Sequence, residues 1–213
     1  MWTRGLSFAM CCAASVAGAH PHVFIDTGLQ LVFDEQGNLS AVDVTWAYDP
    51  LYTLLLLEDM QLDPDLDGVL EPAELAQIQG FDMNWVEGFE GDLYLEAGGP
   101  VALAAPQPLE TRMEGEKIVS VHRRPLETPI EVSAPVIVRP FDPGYFTAYA
   151  VTLEVGIDGR DGCETNLEVA DIAAASDLLE ELLFTVPQSE LEYNFPEVGA
   201  HFADTVTLTC VSG

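Results

Sequence analysis

Twelve residues from Asp63 to Glu74 combine residue type and spacing in a way that specifies a ligand. Oxygen-bearing side chains stand at the first, third, fifth, ninth and last positions of this segment, and Gly68 stands at the sixth. This is the pattern of an EF-hand calcium loop. The predicted ligands are the side chains of Asp63, Asp65, Asp67, Glu71 and Glu74 and the backbone carbonyl of Val69.

The chemistry of calcium explains the spacing. Calcium takes six to eight oxygen ligands, and a short loop wraps it when ligands alternate with residues that point away. Gly68 permits the positive φ of the sharp turn, and Leu70 is expected to point into the protein. The alternative is chance in an acidic chain, which has 36 Asp and Glu among 213 residues. No second loop is found, which predicts a weak, unpaired calcium site.

The N-terminus predicts export. Arg4, the apolar run from Leu6 to Val16 and the small residues before His20 are typical of a signal peptide over residues 1–19, too short to span a bilayer. No later stretch predicts a membrane-spanning helix, so we expect one periplasmic domain over 20–213.

Cleavage after Ala19 would expose a second potential site. His20, Pro21 and His22 would then form the new N-terminus, where an α-amine and two imidazoles suit zinc, copper or nickel. The alternative is that both histidines are simply solvated.

The charge of the chain excludes some classes of binding partner, and its cysteines predict a disulfide. Without Arg4 the chain has 6 Lys and Arg against 36 Asp and Glu, which argues against nucleic acid and anionic membranes. All six basic residues lie between Arg112 and Arg160, and we expect them to face carboxylates of other segments.

Cys163 and Cys210 are predicted to form a disulfide, because exported proteins fold in an oxidising compartment.

The elements that position these residues are mostly strands. Alternation predicts strands over 23–33 and 39–47, then over 91–95, 101–105, 109–113, 117–123, 130–138, 148–157 and 206–211. Helices are predicted over 52–60 and 71–87 around the acidic loop, and over 169–184 packing on a sheet. The fold class is therefore α+β: a mostly-β, sandwich-like domain with a helical EF-hand-like insertion at about 50–88 and a C-terminal helix.

Catalytic patterns are weak, so we predict no enzyme. The sequence has no nucleophile elbow, zinc-protease motif or phosphate loop. His122 is expected at the surface or at a sheet edge. A minor alternative is a copper enzyme of the histidine-brace type, which would use the N-terminal histidine with His122 or His201.

Four segments carry a family resemblance: residues 19–26, the acidic loop 63–74, the turn 141–146 and residues 199–210. Together they resemble an uncharacterised periplasmic family, once labelled a periplasmic component of an unknown transport system. Members are often encoded beside nickel/cobalt-exporter-like permeases, and one is linked to zinc acquisition. The resemblance implies a metal-binding accessory to a permease, with His20 and His22 as ligand candidates. A structural or interaction module stabilised by calcium is the other function consistent with the sequence.

Overall fold

The protein is described here from a computed structural model, which covers residues 21–65, 68–86, 88–187, 190–191 and 195–211. The chain begins with an antiparallel pair, β1 (Val23–Phe33) and β2 (Leu39–Tyr48). The tight turn between them is held by the Asp34 carboxylate, which accepts hydrogen bonds from the N–H groups of Gln36 and Asn38. Gly37, with φ of 79°, supplies the left-handed residue of this turn.

The remaining elements follow in chain order: α1 (Pro50–Asp59), α2 (Pro72–Leu75), β3 (Leu93–Glu96), β4 (Pro100–Val101), β5 (Gln107–Glu114), β6 (Lys117–Ile130), β7 (Val136–Pro140), β8 (Thr147–Ala150), β9 (Val155–Asp158), β10 (Cys163–Glu168), α3 (Ile172–Thr185) and β11 (Thr205–Cys210). Short 3-10 helices cover Phe81–Met83 and Gly199–His201.

Two sheets organise the domain. The first has the strand order β5-β6-β2-β1-β8, with β9 also pairing with β1, and the second has the order β10-β11-β7-β3-β4. Side chains from both sheets join one hydrophobic core, including Leu31 and Val44 of the first and Val138 and Leu208 of the second. The predicted mostly-β domain is confirmed, and its two sheets share one core.

One predicted strand is divided in two. Residues 148–157 were expected to form a single strand, but β8 and β9 are separate and both run parallel to β1. The buried Asp204 carboxylate accepts hydrogen bonds from the N–H groups of Val151 and Ala170. Because the Val151 N–H donates to this side chain rather than to β1, the ladder of backbone hydrogen bonds with β1 is interrupted at Val151.

The C-terminal helix is present but packs differently from the prediction. Ala175 is its buried residue, and it forms a small cluster with Val198 and Phe202, joined by Leu179 and Leu182. The helix therefore lies against the segment that precedes β11, rather than on a sheet. Ile172 is 50% exposed and Phe184 is 83% exposed, so much of its apolar surface faces outward.

The basic residues follow the expectation in part. Lys117 pairs with Asp26 of β1, and Arg123 pairs with Asp43 of β2. Arg112 instead pairs with two glutamates of its own strand. Arg124, Arg139 and Arg160 donate to backbone carbonyls and lie over aromatic rings.

Candidate metal sites

The acidic loop begins in a strained backbone conformation just after α1. Gln61 and Asp63 have φ values of 57° and 53°, in the left-handed region that non-glycine residues seldom adopt. Asp63 is 6% exposed. The first predicted ligand is therefore turned inward, at the point where the chain leaves the helix.

Hydrogen bonds among the described residues close this loop. The Glu74 carboxylate accepts from the N–H of Asp63 at 3.1 Å and from the N–H of Glu71 at 2.8 Å. The Asp63 carboxylate accepts from the N–H of Gly68 at 3.0 Å. The first and last of the twelve positions are thus brought side by side, and Gly68 has the positive φ, 77°, that the turn requires.

The other loop residues divide between surface and core. Asp65 and Glu71 are exposed, the Val69 side chain is 63% exposed, and Leu70 is buried within the main core. Asp67 lies outside the described residues. Among the residues that the structure describes, no three His, Cys, Asp or Glu side chains are grouped as a metal site would require. The oxygen-only donor set of the loop nonetheless has the chemistry that calcium prefers.

The helix predicted after the loop is much shorter than expected. Helix α2 ends at Leu75, and Gly80 stops any continuation with a left-handed φ of 66°. Gln79 turns towards β5, where its side-chain amide donates to the carbonyl of Thr111 at 2.6 Å and accepts from its N–H at 3.0 Å. These bonds, with the complete burial of Ile78, tie the segment to the sheet and prevent a long exiting helix.

The second candidate site lies at the start of β1. The His22 N–H donates to the carbonyl of Phe146 at 2.8 Å, and the two rings lie 4.8 Å apart. The next residues, Val23 and Thr147, are register partners in the parallel pair of β1 and β8. His22 is exposed, whereas His20 lies outside the described residues.

Three of the four segments that carry the family resemblance meet beside His22. The turn at 141–146 is shaped by the Asp142 carboxylate, which accepts from the N–H groups of Gly144 and Thr147. The N–H of Gly199 donates to the carbonyl of Pro143, and the Tyr145 ring stacks on Phe202 at 3.7 Å. Segments that are far apart in sequence are thus neighbours at one end of the domain.

Asp49 connects this end to the acidic loop and was missed by the sequence analysis. One carboxylate oxygen accepts from the N–H of Phe24 at 3.0 Å. The other accepts from the N–H groups of Leu51 and Tyr52, which caps α1. An Asp before Pro50 is a recognisable helix-capping signal, but its bond to β1 depends on the tertiary fold.

The remaining histidines, His122 and His201, lie in different environments. His201 is exposed in the 3-10 helix that contacts the turn at 141–146. His122 is 1% exposed, so its predicted place at the surface or at an edge is wrong. The strand β6 alternates, and His122 faces the core between two aromatic rings, Trp46 at 4.5 Å and Trp85 at 6.0 Å, while Arg123 faces outward.

His122 belongs to a buried polar row on the inner face of β6, which the sequence analysis also missed. Ser120 and Tyr48 both donate to the Asp82 carboxylate, whose pKa is raised by burial. Neither ring nitrogen of His122 has a hydrogen-bond partner in the described part of the chain. Burial, and then the positive charge of Arg124, lower the pKa of His122 to about 3. The imidazole is therefore neutral at physiological pH.

The predicted disulfide is confirmed. Cys163 and Cys210 are bonded, with Cα atoms 4.0 Å apart, and they are register partners of the antiparallel pair β10 and β11. The bond therefore joins two neighbouring strands at the outer side of the second sheet.

The fold and these sites define a mostly-β domain of two sheets with a closed acidic loop. The chain belongs to the family described as "Protein of unknown function (DUF1007)", whose model matches residues 5–210. No curated protein matches the sequence. Within the described residues, no helix is long and apolar enough to cross a membrane.

Proposed function

We propose that the protein is a periplasmic metal-binding accessory that works with a membrane metal permease. Calcium would bind the loop from Asp63 to Glu74, and a transition metal, zinc first, would bind His20 and His22. The observation that carries the proposal is the hydrogen bond from the N–H of Asp63 to the Glu74 carboxylate. This bond holds the two ends of an oxygen-rich loop together.

The calcium part of the proposal is supported by the way in which the loop is anchored. Leu62 and Leu70 are each 5% exposed and belong to the main core, so they fix the loop on both sides of Gly68. Calcium binding needs several oxygens held at short distances from one point, and a loop that is already curved loses less conformational entropy on binding. Asp63, Asp65, Asp67, Glu71 and Glu74 would supply carboxylates, and Val69 its carbonyl.

The transition-metal part is supported by the rigid setting of His22. Its backbone is fixed to Phe146, and the following residue is already in the β1 ladder. A metal ligand next to a regular strand is held more accurately than one in the middle of a loop. A zinc ion at the mature N-terminus would therefore have one ligand, His22, directly before β1 and one, His20, two residues earlier.

Calorimetry on the protein that begins at His20 tests both sites. Calcium and then zinc are titrated into the wild type, into D63N/E74Q and into H20A/H22A, with D161N as a control for loss of one exposed carboxylate. We expect D63N/E74Q to lose calcium binding and keep zinc binding, and H20A/H22A to do the opposite. Calcium affinity in the range of roughly 10⁻⁴ to 10⁻³ M would suit an unpaired loop.

The calcium proposal fails if D63N/E74Q binds calcium as tightly as D161N does. The transition-metal proposal fails if H20A/H22A binds zinc, nickel and copper as tightly as the wild type does. The role beside a permease is tested in cells. Strains with H20A/H22A should accumulate less of the metal if the permease imports it, or retain more if the permease exports it, while protein abundance stays unchanged.

A second candidate function is a calcium-stabilised structural or interaction module with no transition-metal role. It is favoured by the participation of Leu57, Leu70 and Ile78 in the same core as the two sheets. Calcium would then stabilise the whole domain by rigidifying the insertion. In this case D63A would lower the melting temperature and partner binding, and metal delivery would not change.

A further inference from the structure

An open pocket of about 370 Å³ lies beside the inner face of β6, and none of its lining residues belongs to the acidic loop or to the start of β1. It is bounded by the residues that precede β3 and those that precede β5. Most of its lining residues are apolar, but polar and apolar atoms share its exposed surface about equally; the lining includes Asn84, Trp85, Glu90, Leu103, Ala105 and Arg124. A pocket in which apolar side chains surround a few fixed polar groups can orient a small molecule that has one polar end.

Arg124 is the charged group at the base of this pocket, and it is 2% exposed. Its Nε donates to the carbonyl of Ala104 at 3.2 Å, and its Nη1 donates to the carbonyl of Glu90 at 2.7 Å. The guanidinium lies 4.6 Å from the centre of the Trp85 ring. Within the described part of the chain, Nη2 makes no hydrogen bond and no carboxylate lies within ion-pair distance.

This arrangement is unusual in so acidic a chain. Acidic residues outnumber basic ones by 36 to 7, and buried cations are normally paired with a carboxylate. Carbonyl groups and a ring face supply only partial negative charge. Burial lowers the pKa of Arg124, and the charge of the Glu90 carboxylate, which is beyond ion-pair distance, opposes this only in part. The effect reaches His122, two residues earlier on the same face, because the Arg124 charge helps to lower the pKa of that imidazole.

We propose that this pocket binds a small organic monocarboxylate. The carboxylate accepts hydrogen bonds from the Arg124 guanidinium, and the apolar part of the ligand lies between Trp85 and Leu103. Arg is well suited to carboxylates because its donors match their two oxygens. The Glu90 carboxylate at the rim and the large negative charge of the protein disfavour dianions such as phosphate.

Calorimetry with sodium benzoate as the probe tests the proposal on the full mature protein. Benzamide, which has the same shape without the charge, and inorganic phosphate are titrated in parallel. We expect benzoate to bind and the other two compounds to bind at least about tenfold more weakly. Quenching of tryptophan fluorescence by benzoate gives a second readout, because Trp85 lines the pocket.

Four variants identify the site. R124Q should weaken benzoate binding by at least about tenfold, and A105L should block it by filling the pocket from an exposed wall position. E90Q should strengthen it by roughly twofold to tenfold, because a like charge is removed while the backbone carbonyl stays. R123Q is the matched control, since Arg123 lies on the outer face and pairs with Asp43.

Equal binding of benzoate and benzamide would overturn the proposal, as would binding of phosphate in preference to benzoate. Benzoate affinity that is unchanged in a folded R124Q would also overturn it. If R124Q fails to fold, A105L and E90Q test whether benzoate binds in this pocket. Both variants keep Arg124, so weaker binding by A105L and stronger binding by E90Q cannot come from a structural role of that arginine. Unchanged affinity in both of these variants would refute the site.

Discussion

The hydroxyl of Tyr149 donates a hydrogen bond of 2.9 Å to the carboxylate of Asp92 in the interior of the domain. Burial raises the pKa of Asp92 to about 7, against the opposing effect of the Tyr149 hydrogen bond and with a further contribution from the charge of Asp142. Asp92 is 6% exposed and has a φ of 49°. The pair lines a pocket of about 390 Å³ next to the turn at 141–146.

The raised pKa of Asp92 predicts a pH-dependent loss of stability. Between its unfolded value near 4 and its folded value of about 7, the folded state binds more protons than the unfolded state. The contribution of Asp92 to the free energy of unfolding therefore falls as pH rises through this window and is constant above it. Its upper limit is on the order of 4 kcal/mol.

The variant D92N removes this dependence and keeps an acceptor for Tyr149. Asn tolerates a left-handed backbone conformation, so the substitution adds little strain. We expect the free energy of unfolding of D92N, relative to wild type, to increase as pH rises from about 4 to about 8. Urea denaturation across this range measures it, with D161N as a control for charge removal at the surface. A difference that does not change with pH would contradict the prediction.

Gly91 is predicted to be intolerant of a side chain. Its φ is 74°, and a Cβ atom there would collide with Arg124 and the Trp85 ring. Gly98 has a similar φ of 71° but open space around it. We expect G91A to lose about 1–3 kcal/mol more stability than G98A does, because both add left-handed strain and G91A alone adds a clash. Chemical denaturation of the two variants gives the comparison, and equal losses would contradict the packing described around Arg124.

The disulfide is predicted to contribute substantially to stability. The bonded cysteines are 47 residues apart in sequence, and the chain-entropy model gives a contribution of about 4 kcal/mol for a loop of that length. We expect C163S/C210S to lose stability of this order and to become insensitive to reducing agent. The wild type with and without dithiothreitol is the matched comparison. A variant as stable as the oxidised wild type would show that the strand pairing of β10 and β11 is sufficient.

Leu70 is predicted to anchor the acidic loop to the core. It is 5% exposed, and its neighbour Val69 is 63% exposed. We expect L70A to cost about 2–4 kcal/mol of global stability, since a buried leucine is truncated, and V69A to cost less than about 0.5 kcal/mol. Thermal and urea denaturation measure both variants. Equal, small effects would mean that the insertion unfolds separately from the two sheets.

Local patterns predicted most of the strands, because side chains that alternate between core and solvent leave a period of two in the sequence. The segment Val23–Phe33 is the clearest example, and its bounds agree with the structure. Strand β10 was missed because Cys163–Glu168 pairs on one side with β11 and leaves most of its polar residues exposed. The predicted disulfide from Cys163 to Cys210 did indicate that this segment lies beside the last strand, whereas the pattern of apolar and polar residues did not.

Errors arose where tertiary contacts override local preference. Acidic and apolar residues after Glu71 favour a long helix, but the hydrogen bonds of Gln79 to Thr111 hold the chain against β5. His122 was assigned to the surface because two arginines follow it, whereas strand alternation turns Arg123 outward and Arg124 inward. The loop closure from Asp63 to Glu74 agrees with its residue pattern, but the pocket at Arg124 depends on residues distant in sequence.

The hydrogen bonds of Asp49 give the two proposed metal sites a thermodynamic connection. One carboxylate orders both the strand that begins beside His22 and the helix that leads to Asp63. If calcium in the loop after α1 stabilises the helix as a whole, the cap at Asp49 would pass this stabilisation to the start of β1. Because such coupling is reciprocal, calcium and the transition metal would strengthen each other's binding by the same factor. Replacing Asp49 would then make the two affinities independent of each other.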